Sequence, residues 1–369
     1  MTFRMGKRVA TEMHLGNKEV YQVRQGEALV YAKQLTVSQT LDGVTSDAPS
    51  SVAWGDGLAV VLTADSDTQM SSSSVVVMMG GVDITSTAYD SATNTISIAS
   101  VTGNVAITAA AAIIFEDAAV KAICAANWGG TIAGELTKNE AAAVTSLDDK
   151  FRNNTTITKF NEFVYFTGIN TLYSAFSGCS NLEEITFPTA YLDSSANTNG
   201  RFTNVLARTK VVNVDMSNIT TTNTRQSLVV VPQNAALKKV VFPQCNVDTM
   251  YYMLQGCTNL EEVDFSLCNF ANMPATSNNR GTTSGAFYQT GKITTVRGGF
   301  PNLARSVNVN TNPISVESAT TIITSLLSSP VSGATFTFKA SMKATYEANA
   351  DFNAAVATAR SNGWTIAYS

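Results

Sequence analysis

Histidine is almost missing from this sequence: His14 is the only one among 369 residues. Multi-histidine metal sites are thereby excluded, and only His14 could act as the imidazole base of a hydrolytic triad. Charge is also thin. Asp, Glu, Lys and Arg make up 14% of the chain, against roughly 25% in an average soluble protein, so Ser, Thr and Asn must supply the solvated surface. The net charge is -4 and no Lys/Arg run is longer than two. No basic face is offered to phosphates or anionic lipid, and nucleic acid is not an expected partner. The cysteines Cys124, Cys179, Cys245, Cys257 and Cys268 form an odd set without a CxxC pair, which indicates neither a zinc site nor a complete disulfide framework. The longest apolar stretch, near Ala109 to Phe115, falls far short of the roughly 18 residues that span a bilayer, so no membrane insertion is expected. The opening MTFRMGKRVATEMHLGNKEV has no apolar signal-peptide core and no lipobox-like cysteine. A chain neither exported by a standard signal nor anchored, assembled in a reducing cytoplasm, is the expectation.

What is present is apolar residue in quantity, 44% of the chain, enough to bury a core in each of the several domains that this length allows. Composition divides the sequence into a hairpin (1–34), an Ig-like β-sandwich (35–112), a helical joint (113–150), a repeat region (151–312) and a C-terminal cap (313–369). In LGNKEVYQVRQGEALVY, two apolar clusters flank a Gln25-Gly26-Glu27 turn signal, the mark of a hairpin. Two strands are marginal alone, so this hairpin should dock on something else, with Lys33 in a linker. Between Leu35 and Ala110 there is no Cys and no Lys. Strand-like runs at Ala59 to Thr63, Ser74 to Met79, Thr95 to Ala99 and Val105 to Ala109, with polar turns between them, predict the sandwich.

The joint has two helical stretches around a loop. Counting twelve loop positions from Gly129 puts Gly134 at position 6, Leu136 at 8, Thr137 at 9 and Glu140 at 12, as an EF-hand requires. Positions 1, 3 and 5 hold Gly129, Thr131 and Ala133 where calcium needs oxygen-bearing side chains. Glu135 and Glu140 do not replace them, so no bound metal is expected and the loop reads as a remnant.

The repeat region is the informative part. FSGCSNLEEITFP (Phe176 to Pro188) aligns without gaps to LQGCTNLEEVDFS (Leu254 to Ser266), identical at seven of thirteen positions where average usage gives about one. Its core is an apolar triplet at i, i+3 and i+5: Leu182, Ile185, Phe187; Val211, Val214, Met216; Leu237, Val240, Phe242; and Leu260, Val263, Phe265. Weaker copies begin at Ile157 and Ile293. The steps of 25, 29, 26, 23 and 33 residues predict a leucine-rich-repeat solenoid, in which stacked coils bury ladders that no single coil buries alone. Cys245 and Cys268 occupy equivalent places, and Cys179 and Cys257 share a GC(S/T)NL turn. Buried stacked thiols are the expectation, with a disulfide or a reactive cysteine as alternatives.

Residues between the triplet positions should project from the strand face: Glu184, Thr186, Asn213, Asp215, Lys239, Val241, Glu262, Asp264, Thr295 and Arg297. All but Val241 are the candidate binding residues, since solenoids bind partners on this face. Tyr251, Tyr252, Phe287 and Tyr288 lie beside it, able to stack on sugar rings or to fill the core. At the end, ATFTFK reads as a strand, Thr345 to Arg360 as a helix and WTIAY as a closing strand, together a cap for the solenoid's open edge.

These residues bear a resemblance to known families. GCSNLEEITFP is similar to the BspA-type leucine-rich repeats of bacterial surface proteins, whose usual turn reads GCxxLxxIxxP. KAICAANWGGTIAGELTKNEAAAV resembles the EF-hand-like insert that precedes such repeats in proteins of gut bacteria and their phages. GGVDITSTAY and ISIASVTGNVAITA resemble Ig-like modules of the same proteins, and LGNKEVYQVRQGEALVY resembles a hairpin near the N-termini of phage tail and virion appendage proteins. The resemblance implies a multidomain, mostly-β structural protein of a bacteriophage virion, a tail fibre or head fibre without enzymatic activity or cofactor. Its hairpin would join other virion proteins, and its repeats would meet a host-surface glycan or protein. Closed cyclic symmetry is the common solution for homo-oligomers, which makes a homotrimer the expectation. Alternatives are a capsid-decorating head fibre without a receptor role, a bacterial cell-surface adhesin, and a glycan depolymerase using a carboxylate pair from Glu183, Glu184, Glu261 and Glu262.

Overall fold

The computed structural model describes residues 14–15, 18–25, 28–192, 203–221, 226–227, 230–271, 273, 285–326 and 333–369. Strand exceeds helix, 30% against 19%, so the chain is mostly β. Its contacts divide it into two compact units, Met1–Ile114 with Gly129–Asn139, and Phe115–Trp128 with Glu140–Ser369.

The first unit is built on alternation. In Leu58–Ala64, Leu58, Val60 and Leu62 point inward while Ala59, Val61 and Thr63 face out. This strand pairs antiparallel with Thr95–Ile98 on one side and Val44–Ser46 on the other. A second sheet is centred on Val105–Ile113, which pairs antiparallel with Val76–Met79 and parallel with Gln34–Asp42, Val105 opposite Val37. Leu35, Val37, Val77, Val105 and Ile107 of this sheet share one core with Leu58, Val60, Leu62, Ile96 and Ile98 of the other. Within the 129–139 segment, Ile132 is buried with Ala110 and Ala112. The Ile113 amide donates to the Leu136 carbonyl at 2.8 Å.

Gln22–Gln25 and Ala28–Ala32 pair antiparallel; Gly26 and Glu27, the expected turn, lie outside the described residues. Tyr21 packs against Trp54 with the rings tilted and their centroids 5.8 Å apart. Lys33 is no bare linker residue. It ion-pairs with Glu19, lies 5.1 Å from the Tyr21 ring centroid, and accepts the Trp54 amide on its carbonyl at 2.8 Å. The hairpin therefore meets Trp54, in the turn after the Ser51–Ala53 strand of its own unit.

In the second unit, Asn213–Asp215, Lys239–Val241, Glu262–Asp264 and Thr295–Arg297 form one parallel sheet. Their central valines align as Val214, Val240, Val263 and Val296. All four are buried, as are Leu182, Val211, Leu237, Leu260 and Ile293 at the start of each copy. Aromatic rings continue the stacking. Phe242 lies flat on Phe265 at 5.1 Å, Phe265 meets Phe300 at 5.2 Å, and Phe300 meets Phe336 at 5.8 Å. Such pairs add about 0.5–1.5 kcal/mol each beyond area burial.

The turn glycines Gly178 and Gly256 have φ of +78° and +76°. A side chain there would be strained and would press on Asn153 or Gln233 of the neighbouring turn. Polar bonds also run from turn to turn. Asn181 Nδ2 donates to the Thr155 carbonyl and Asn259 Nδ2 to the Ala235 carbonyl, at 2.7 and 2.8 Å. Lys210 and Lys292 then donate to the Oδ1 of these asparagines, at 2.8 and 2.7 Å.

The C-terminal part contains more helix than the sequence reading placed there. Val316–Ser325 is a helix, capped by the Ser315 side chain, which accepts from the Ser318 amide. The Ser318 hydroxyl in turn accepts the Val296 amide at 3.0 Å. The expected helix from Thr345 to Arg360 is two, Lys343–Glu347 and Ala350–Ser361, because Asn349 turns the chain and caps the second one through the Phe352 amide. Val307–Asn308, Thr335–Phe338 and Thr365–Tyr368 form a parallel sheet beside these helices.

Candidate functional site

A three-residue strand with a buried centre must turn its two ends outward. That geometry places most of the candidate residues in two rows. Asn213, Lys239, Glu262 and Thr295 are register partners in the first row, and Asp215, Val241, Asp264 and Arg297 in the second. Glu184 belongs to a separate two-stranded pairing, opposite Lys159. Thr186 lies beyond that pair, and its hydroxyl donates to Asn161 Oδ1 at 3.0 Å.

Charges on these rows pair across strands. Glu262 Oε1 receives Lys239 at 3.1 Å and Arg297 Nε at 2.8 Å. The Arg297 hydrogen bond is the main cause holding the Glu262 carboxyl below its ordinary range, against the opposing effect of partial burial and with help from Lys239. Lys159 lies 3.2 Å from Glu184 and 3.6 Å from Glu116. Its ammonium is raised above the ordinary lysine value, first by the Glu184 hydrogen bond. Chemically, Glu262 is an ionised carboxylate between two cations, a poor proton donor at neutral pH. Glu183 and Glu261 are exposed.

Sequence reasoning missed Lys159, Asn161 and Glu116. The weak first copy held the signal, because the offsets i+2 and i+4 from Ile157 reach Lys159 and Asn161. Glu116 precedes the repeats and had no signal. Beside it, Asp117 joins two elements. One oxygen accepts from the Ala119 and Val120 amides at 2.8 and 3.2 Å, and the other from the Thr158 amide and hydroxyl at 2.7 and 3.0 Å. Burial opposes the charge most, yet these bonds together outweigh it and hold the Asp117 carboxyl below its ordinary value.

All five cysteines are free and buried. The Cys179 and Cys257 thiols donate to the Phe151 and Val231 carbonyls at 3.0 and 3.1 Å. Burial pushes them up to about 11 and about 12, which disfavours the reactive thiolate. Cys245 and Cys268 are register partners with their sulfurs 3.9 Å apart. Among the described residues no group of three or more His, Cys, Asp or Glu could hold a metal ion, and no helix is long and apolar enough to cross a membrane.

The aromatic residues beside the strand face divide. Phe287 is buried, whereas Tyr251 and Tyr288 are 46% and 53% exposed. Tyr252 lies between them, its ring 4.2 Å from Tyr251 and 6.3 Å from Tyr288, edge to face in both cases. Comparison of the chain with protein-family models, with curated proteins and with solved structures finds no match.

Proposed function

We propose that this chain is a structural protein of a bacteriophage virion, a fibre or appendage that presents leucine-rich repeats to the host surface. In this reading the two-sheet unit is an Ig-like spacer, the N-terminal hairpin joins other virion proteins, and the assembled protein is a homotrimer without cofactor. One observation carries the proposal: parallel strands stacked in register, with buried valines and an outward face of paired charges. Such stacking makes an extended contact surface from short repeats.

Two measurements test this. Antibody raised against the chain should label purified phage particles in electron micrographs, and the purified protein should adhere to bacterial cells without releasing soluble sugar. Particles free of the chain would remove the virion assignment. Released oligosaccharide would replace the structural role with a depolymerase.

A further inference from the structure

We propose that the groove beside Tyr288 is a binding site for a neutral oligosaccharide. The proposal deepens the attachment reading and rests on it for its biological meaning, while its chemistry stands on the groove alone. The groove lies between the Gly285 to Gln289 turn and the outward face of the C-terminal parallel sheet, and encloses about 470 Å³. Small-molecule sites span roughly 300–1,000 Å³.

Both walls follow from the local sequence. Alternation sends Phe336 and Phe338 inward, so Thr335 and Thr337 line the groove. Asn308 is the register partner of Thr337. On the other wall, Phe287 is buried and its neighbour Tyr288 is turned out. Tyr288 is braced, because Tyr252 meets it edge to face and Tyr252 itself lies over Gly285. A Cβ on Gly285 would come within 2.4 Å of that ring, so the glycine is what admits it.

Among the described residues, no acidic or basic side chain lines the groove. A phosphate, an acidic sugar or a charged peptide would find no counter-charge there, and an amphipathic helix would find no deep apolar pocket. The walls offer one exposed aromatic face and a set of hydroxyl and carboxamide groups that both donate and accept. A pyranose matches this: its C–H face packs on an aromatic ring while its hydroxyls meet Thr, Asn and Gln. A second recess of about 590 Å³ is also lined by Gln289, together with Gln233 and Thr258. Its lysine, Lys292, is already bonded to Asn259. Gln289 is common to both recesses, so the natural ligand is a chain of sugars rather than a single ring.

The test applies the full-length protein to an array of gluco-, galacto- and manno-oligosaccharides, with uronic-acid and sialylated glycans alongside. Binding to at least one neutral glycan is expected, weakened about tenfold by Tyr288→Ala and also by Thr337→Val, which keeps the side chain's shape. Asp351→Asn, on an exposed helix position, should leave binding unchanged, and melting curves will show that all three variants fold. Absence of neutral-glycan binding, binding to acidic glycans alone, or equal affinity in the Tyr288 and Asp351 variants would overturn the proposal. Adherence to bacteria is measured in parallel. Adherence that survives periodate cleavage of sugar diols but not protease treatment would keep the attachment reading and remove the glycan, because a Tyr- and Asn-rich surface can also hold a protein loop. Array binding without adherence would keep the site and remove the attachment reading.

Discussion

Asp117 shows how one residue can matter more than the charge pairs around it. Its two oxygens accept amide hydrogens from the start of the Ala118–Trp128 helix and from Thr158 at the first repeat copy. Its pKa is depressed by folding, so its contribution is present above the unfolded-state value of about 3.9 and is lost as pH falls through the lower folded-state value. We expect Asp117→Asn to lower stability near neutral pH and to flatten the acid limb of a stability–pH curve measured by urea unfolding. An unchanged acid limb would show that the loss lies elsewhere. Leu260→Ala should cost about 2–5 kcal/mol, because it opens a cavity between stacked coils. Glu261→Ala, on the same turn but exposed, should cost almost nothing. Equal losses in the two variants would contradict the burial of the first triplet position.

At the scale of elements, the apolar triplet was legible because its residues recur at short fixed offsets and each copy repeats them. The candidate rows were legible for the same reason: where the triplet is strong, i+2 and i+4 fix the outward residues. Lys159 escaped although the same offsets from Ile157 reach it; its copy, like the one at Ile293, has only two apolar anchors. Parallel pairing between Gln34–Asp42 and Val105–Ile113 joins segments far apart in the chain, and no local pattern encodes it. The Val316–Ser325 helix is a different kind of miss. Ala319, Ile322 and Ile323 have helical spacing and Ser315 is a good N-cap, but Ser and Thr abundance masked the signal. This helix carries a consequence for the sheet it covers. Ser318 accepts the Val296 amide of the last strand, so Ser318→Ala leaves a buried donor unsatisfied at a cost of about 1–3 kcal/mol. Chemical denaturation of the full chain measures it, and a change within error would mean that the helix caps the edge without that bond.

At the scale of the molecule, the hairpin and the EF-hand-like loop set the remaining expectations. Tyr21 and Lys33 contact Trp54 within the first unit, so deleting Met1 to Lys33 uncovers an aromatic side chain there. On the proposed reading, that deletion should also abolish incorporation into particles while the second unit keeps its melting transition. Incorporation of the truncated chain would reverse the assigned polarity. In the 129–139 segment, Gly134 has a φ of +73°, the turn that an EF-hand loop needs at its sixth position, but Gly129, Thr131 and Ala133 bring no side-chain oxygen except one hydroxyl. Chelator should therefore leave the melting temperature unchanged, and a calcium-dependent rise of several degrees would restore the site.

The register of the parallel strands also has a mechanical meaning. Lys239 sits opposite Glu262, and Glu262 opposite Thr295, although 23 residues separate the first pair and 33 the second. The register runs on across both steps. Pulled apart strand from strand, such a stack yields one coil at a time. Each step would release a loop of hidden length, roughly 80–110 Å at about 3.4 Å per residue, so the tether would lengthen in stages before it broke. On the proposed reading, an appendage made this way would absorb a sudden load coil by coil.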